Sequence, residues 1–561
     1  MVKLMASSHV KLCLSFFLCG FSLISFAQTT YYVSSSQGDD LNDGQHADRP
    51  WASLKRVAKQ QLKPGDTVQF KAGDSFAGQL LIDESGMLNA PIHFTAYGEG
   101  DAPIIDGSAG SGGDELAAIM VVDQDHIEIS HLTVRNFRKQ SKADIADVNA
   151  YGILVKNTGK RVLSGYELHH LTVEEVYPIR ARRSFNETSV TGIRFETNPA
   201  RGKRSAVNTR DIYIHDNFIR HTARFGIALR HRPSRIDGVS ATPLDYDMNV
   251  RITNNRCEDT AGSCVLMNGI WQGLLEGNTF VRSGAMVEPK LSVNRGSGAW
   301  FFRSQHIVAQ YNSTYGSRGH NDSAGIHVDF ANENILVQYN FSYDNEGYGT
   351  EILGKNKNII WRYNISVADG TRKINVSRPE GGKSIYPGKT IFVSDFSVPK
   401  RTQSREVAIY NNTYLIASAS DPYIEFNAEQ LQVLNNLFVV EEGGRLAKKL
   451  NVAWEQGEGL AMRGNAFVGN VSPNFIRLDQ QPRVAQLAFN GEPSDANSYA
   501  VAINWFKTIG AVQAVKHPSF PAAGKGIFSH ISAVPTIDYF GNPLSSVPNL
   551  VGAGYQPLTH D

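Results

Sequence analysis

Ala324-Gly-Ile-His-Val-Asp-Phe330 runs into Ile335-Leu-Val-Gln-Tyr-Asn-Phe341. The same two-part phrase returns as Tyr348-Gly-Thr-Glu-Ile-Leu353 followed by Ile359-Ile-Trp-Arg-Tyr-Asn-Ile365. Gly325 to Gly349 is 24 residues and Asn340 to Asn364 is 24 residues, so the two landmarks advance together and define a repeating unit. Looser copies of the first half stand at Tyr151-Gly-Ile-Leu-Val155, Thr191-Gly-Ile-Arg-Phe195, Phe225-Gly-Ile-Ala-Leu229, Ser263-Cys-Val-Leu-Met267 and Gly298-Ala-Trp-Phe-Phe302. Copies of the second half end at Asn217, Asn255, Asn278, Asn312, Asn412 and Asn436. A period in the twenties with strand alternation and no helical period predicts an all-β parallel solenoid, in which each unit is one coil. Leucine-rich repeats share the length but need a Leu-x-x-Leu-x-Leu frame, and none is present. The recurrent Asn is expected to stack on Asn at an inward turn, its amide bonding to its neighbour and to turn backbone. These residues are therefore scaffold.

Alternation along a strand sends neighbouring side chains to opposite faces. Aligning the Gly-led strands places Ile153, Ile193, Ile227, Val265, Trp300 and Ile326 inward. The outward positions then read Leu154, Arg194, Ala228, Leu266, Phe301, His327 and Glu351, followed by Lys156, Glu196, Arg230, Asn268, Arg303, Asp329 and Leu353. Coils stack at about 4.8 Å, so the middle coils gather Arg230, Asn268, Arg303, His327, Asp329 and Glu351 on one face. A solenoid surface must be polar somewhere, and solvated charge would explain part of this list. Cations, carboxylates, an imidazole and an amide together, flanked by apolar coils, are what a groove holding a charged sugar chain and moving protons requires. The turn before Gly325 adds His320 and Asp322. The interruptions at Pro178 to Val190, Arg232 to Asp247, Ala285 to Arg295 and Arg372 to Lys389 map to loops that would wall such a groove.

Lys3 and Lys11 precede an apolar run from Leu12 to Phe26, and Ser25-Phe26-Ala27 offers small residues for cleavage, so residues 1–27 read as a signal peptide and the protein as secreted or periplasmic. Cys13 and Cys19 leave with it. Cys257 and Cys264 remain, and a disulfide and two buried thiols are both open. With 55 Lys and Arg against 54 Asp and Glu, the net charge is +1. Nucleic-acid binding and attachment to a membrane surface, which need a strong basic excess, are excluded as expectations. No later segment is apolar and long enough for membrane insertion, and a monomer is expected. Residues 28–110 read as an N-terminal cap with the first coils, carrying a short amphipathic helix within Pro50 to Lys59. Residues 111–470 read as the solenoid with its groove loops, and 471–561 as C-terminal coils and an irregular cap.

The run Tyr31 to Gly44, Pro64-Gly-Asp66, Gly73-Asp-Ser-Phe-Ala-Gly78 and Pro91-Ile-His-Phe-Thr-Ala-Tyr-Gly-Glu-Gly100 resembles the N-terminus of secreted bacterial right-handed parallel β-helix proteins of the pectate-lyase-like kind. Asp538-Tyr-Phe-Gly-Asn-Pro543 with Val551-Gly-Ala-Gly554 resembles their close. The resemblance implies a single-domain right-handed parallel β-helix acting on carbohydrate. Its motifs report fold and leave the reaction open, because polysaccharide lyases, glycoside hydrolases and uronan epimerases share them. Many similar lyases use calcium, for which Asp245-Tyr-Asp247 is the candidate. No other cofactor is expected.

Taken together, the residues favour β-elimination on an anionic polysaccharide. In that reading Arg230 and Arg303 neutralise a uronate carboxylate, and His327 or an Arg removes the adjacent proton. Arg194, Glu196, Asn268, Phe301, His320 and Asp322 would contact substrate. The alternative is hydrolysis by Asp329 and Glu351 as acid and nucleophile or base. Epimerisation, or a non-catalytic carbohydrate platform, are further alternatives; a platform would use more exposed aromatics than this column holds.

Overall fold

A computed structural model describes residues 28–109, 114–181, 189–198, 207–231, 242–285, 288–319, 321–375, 386–453, 459–485, 519–546 and 551–554. The expected signal peptide, His320, and parts of all four groove loops lie outside the described residues.

The chain is a right-handed parallel β-helix of three sheets. Each coil contributes one strand to a first sheet of 14 strands, one to a second of 14 and one to a third of 12, and every pairing is with the coil before or after. The 24-residue unit appears directly in the register, where Ile335 pairs with Ile359 and Gln338 with Arg362. Inward side chains from all three sheets form one continuous apolar core from Tyr31 to Phe475.

Corners fix the coil. The residue before each ladder asparagine adopts a left-handed conformation, as at Tyr339 (φ 55°) and Tyr363 (φ 52°). This bend turns the next side chain inward. Asn217, Asn255, Asn278, Asn312, Asn340, Asn364, Asn412, Asn436 and Asn465 then form an unbroken ladder in which each Nδ2 donates to the next Oδ1 at 2.9–3.0 Å. The ladder ends on Asp479, whose Oδ2 accepts from Asn465 Nδ2 at 2.6 Å. Each amide also serves its own turn, as Asn340 Nδ2 does by donating to Ala309 and Gln338 oxygens at 2.9 Å. Replacing Asn340 with Leu orphans buried partners on both neighbouring coils, each costing about 1–3 kcal/mol. The variant should lose several degrees of melting temperature, read by circular dichroism, while an exposed change such as Leu41→Ser should not.

The glycine that leads each third-sheet strand is set by close approach. A Cβ at Gly325 would lie 2.3 Å from Thr314 Oγ1 and 3.1 Å from Ser342 Cβ. Cys264 occupies this position in its coil and forms a buried disulfide with Cys257, Cα to Cα 5.8 Å. This selects between the two expectations for that pair.

At the N-terminus the amphipathic helix is a single turn, Leu54–Val57, capped by the Ser53 hydroxyl accepting from Arg56 N. Its Leu54 and Val57 join Trp51 in closing the core. At the far end Phe475 closes the stack against Phe438 and Phe467. Residues 519–554, where described, do not cover the last coil. They run along the flank, with Phe520, Phe528 and Ile531 on outward apolar residues of the first sheet and Val551 and Ala553 on those of the second. Arg362 donates to the Ala533 and Ser532 carbonyls, both at 3.3 Å, and Tyr339 to Ile537 O at 3.0 Å. Among the described residues the third sheet has no such cover, and three of the four long loops enter at its leading edge.

Candidate active site

The third sheet presents four consecutive strands, Val265–Asn268, Ala299–Phe302, Ile326–Val328 and Tyr348–Ile352. Their register aligns Leu266, Trp300, His327 and Glu351 in one outward column. The expected column is therefore corrected at one coil. Ala299, not Trp300, follows the leading glycine inward, and the slip by one residue reverses every side chain of that strand. Phe301 is a core residue, fully buried. Trp300 faces out in its place, and Phe302 stands where Arg303 was expected. Arg303 itself lies at the corner with φ 49°, its guanidinium 4.8 Å from the Phe302 ring centroid and 5.8 Å from that of Phe330.

His327, Asp329 and Glu351 are brought together as expected, and Asp322 joins them from the preceding turn. The His327 Nε2 lies 3.6 Å from Glu351 Oε1 and 4.0 Å from Asp329 Oδ1. Asp322, His327 and Glu351 each offer a ligand atom within 4.8 Å of the others. The His327 ring stacks on Trp300 at 5.8 Å between centroids. Trp300 Nε1 donates to Asp329 Oδ2 at 2.7 Å, and Phe330 N donates to Asp329 Oδ1 at 2.8 Å. His327, Asp329 and Glu351 are all buried.

Two arginines absent from the expected site organise it. Arg295, on a groove loop, grips Asp322 with both Nε (2.7 Å) and Nη2 (3.2 Å). Arg372, at the start of another, donates to the Tyr348 hydroxyl at 3.1 Å and to the Asp322 and Tyr386 carbonyls at 3.2 and 2.8 Å, tying two loops to the strand. Their loops lack the repeat, so only a spatial fold connects them to the column.

This arrangement divides the protons. Burial works to raise the Asp322 carboxyl, but Arg295, with His327 and Arg372, brings it below the usual carboxylate range. Burial and the Asp322 charge push Asp329 up to about 7. Glu351 is raised well above its usual value by burial and by Asp322 and Asp329. Burial also drives His327 down to about 4, with Arg295 adding to it against Asp322. The cluster thus sets an Asp322 carboxyl lowered by Arg295 beside an Asp329 carboxyl raised to about 7, a His327 imidazole lowered to about 4 and a Glu351 carboxyl raised well above its usual value.

The remaining sequence-derived residues lie elsewhere on the face. Arg230 pairs in register with Asn268, and Phe302 and Asp329 follow, placing Arg230 three coil steps or about 14 Å from Asp329. Arg194, nearly buried, bonds Glu196 at 3.0 Å, four steps from His327. With Arg230 they mark a distal part of the face, separated from the acids by the apolar cluster of Phe225, Ala228, Leu266 and Trp300. Calcium does not fit the residues proposed for it. Asp247 accepts from Thr209 N, Thr197 Oγ1 and His231 Nδ1, and Asp245 caps Thr242. The Asp322–His327–Glu351 group fits calcium no better: it centres on an imidazole where calcium takes six to eight oxygens, and Arg295 already claims Asp322.

A family model described as "Right handed beta helix region" matches residues 117–288. The chain is similar to a lacto-N-biosidase of Bifidobacterium longum subsp. longum, 26% identical over 483 residues, covering 70% of this chain and 29% of that protein. It therefore spans under a third of that relative's length. Among solved structures it resembles a GH136 lacto-N-biosidase from Eubacterium ramulus, with a TM-score of 0.55 at 19% identity, covering 82% of this chain and 68% of that one. The fold is one used by carbohydrate-active enzymes.

Proposed function

We propose that this protein hydrolyses glycosidic bonds, with Asp322 and Asp329 as the two working carboxyl groups. One observation carries the reading: Asp322, gripped by Arg295, and Asp329, held by Trp300 Nε1 and Phe330 N, both lie beside His327 on one outward face, where Arg295 lowers the first carboxyl and burial raises the second to about 7. Glycoside hydrolysis needs one acid and one nucleophile or base flanking the scissile bond. The likeness to the two lacto-N-biosidases, which are glycoside hydrolases, supports it. Trp300 and Phe330 N–H hold Asp329 in place, and Trp300 offers the apolar edge on which a sugar ring rests. His327, lowered by burial to about 4, and Glu351, raised by burial, lie buried beside the pair.

The elimination route asked for Arg230 and Arg303 beside His327. Arg230 is three coils away, Arg303 turns onto Phe302 and Phe330, and a buried imidazole with a value near 4 is a poor base at neutral pH. The test follows reducing ends and ultraviolet absorbance together on neutral amino-sugar oligosaccharides and on alginate, pectate and sulfated glycans. New reducing ends with flat absorbance support hydrolysis; rising absorbance from an unsaturated uronate sinks it.

Arg295→Gln should leave the fold intact and raise the Asp322 carboxyl. An adjacent arginine lowers an Asp by about 1–3 units. The acidic limb of the kcat/KM profile should move up by about one unit or more, and an unmoved limb would separate Arg295 from catalysis.

A further inference from the structure

Beyond the apolar cluster that bounds the carboxyl site, the outward face of the third sheet carries a second polar patch. Register places Arg194 beside Ala228 and Glu196 beside Arg230, and Lys156 flanks Glu196 on the preceding coil. Arg224 precedes the strand Phe225–His231 and lies over the Phe225 ring at 4.5 Å. Ala228 stands between Arg194 and Leu266 in its column. Its short side chain lets the longer ones around it meet above the sheet.

Among the described residues this patch holds more cations than anions. Glu196 accepts from Arg194 Nη2 at 3.0 Å and from Asn198 Nδ2 at 2.6 Å. Burial works to raise its carboxyl, but Arg194, Asn198 and Arg230 bring it below the usual range. Arg224 is driven down to about 9, first by burial and then by Arg194, Arg230 and Arg295. Guanidiniums stay charged, so crowding them out of water is costly unless negative charge joins them. Arg194 is 2% exposed, and its Nε finds no acceptor among the described residues. A buried donor left unmet is rare in folded proteins, and an arriving anion supplies what this one lacks.

We propose that Arg194, Arg224 and Arg230 form a subsite for one anionic group of the glycan, a carboxylate or a sulfate ester, on a sugar beyond those flanking the bond cleaved. Guanidinium forks bind such groups through paired N–H donors. Arg230 lies three coil steps from Asp329, with Trp300 between them on the same face. The sugar chain then runs along the stack of coils, from the two carboxyl groups toward the N-terminal end. The subsite rests on the hydrolytic reading for the position of the cleaved bond, and adds that the substrate is acidic.

Calorimetry on the full chain compares matched probes: tetragalacturonate against its methyl ester, and a chondroitin sulfate tetrasaccharide against its desulfated form. Asp329→Asn is titrated beside the parent so that turnover cannot consume a probe. At least one charged probe is expected to bind about tenfold tighter than its partner, an advantage that shrinks in added salt. The pair that shows the difference tells carboxylate from sulfate. Arg230→Gln and Arg224→Gln should each erase most of it, with circular dichroism reporting the fold. Equal or absent binding within both pairs, or a preference unchanged in both variants, would overturn the subsite. Charge-dependent binding without hydrolysis of any glycan would keep the subsite and overturn the hydrolytic reading; hydrolysis without any charge preference would do the reverse.

Discussion

Asp322→Asn and Asp329→Asn are each expected to remove nearly all hydrolytic activity while leaving the coil stack intact. Losing a positioned acid or base costs about 10²–10⁴-fold in kcat, and neither side chain contributes to the core or the asparagine ladder. Asn keeps the size and shape at both positions, although its single oxygen accepts only one of the Trp300 Nε1 and Phe330 N bonds at 329 and one of the two Arg295 bonds at 322. Unchanged circular dichroism and melting temperature in each variant would assign the loss to ionisation chemistry and not to packing. Azide added to each variant divides the roles. Rescue as a glycosyl azide of retained or inverted configuration identifies which carboxyl acts as nucleophile or as acid–base, and inversion by the parent enzyme would mean that water is activated directly. Full activity in either variant would remove that residue from the site.

The second large effect is in pH. The pair works with one proton between its members, so kcat/KM requires Asp322 and Asp329 to be in opposite states, whichever of them is the acid. Asp322 is held below its ordinary value and Asp329 up to about 7. As pH rises through about 7 the pair loses its remaining proton, and kcat/KM should fall about tenfold per unit above that value, or about 100-fold by pH 9. On the acid side the decline should begin only below the ordinary carboxylate range. Trp300→Phe removes a hydrogen bond that favours ionised Asp329, so its basic limb should move higher. A basic limb unchanged in that variant would mean that another group sets it.

Coil, core and ladder were legible because they rest on local alternation and on a period repeated many times. Residues 326–329 and 348–352 carry the clean 24-residue repeat, and His327, Asp329 and Glu351 stand where that repeat places them. The strand at Gly298 was misread by one position because Ala299, Trp300, Phe301 and Phe302 are all apolar, so alternation gave no contrast there. Counting from the leading Gly298 would have put Ala299 inward and Trp300 out. Arg295 and Arg372 had no signal of either kind.

What the sequence by itself determined is the solenoid: which residues face inward, where the asparagines stack and which strands carry polar side chains on one face. Hydrophobic period and turn chemistry are properties of short segments, so they survive without knowledge of the rest. Only the tertiary structure decided which side chains that face brings together. The Asp322 carboxylate is ionised because Arg295 returns from a loop 27 residues earlier in the chain to grip it. Asp329 is pushed up to about 7 because burial and that negative charge coincide, and such energies depend on distances in space that no spacing along the chain encodes.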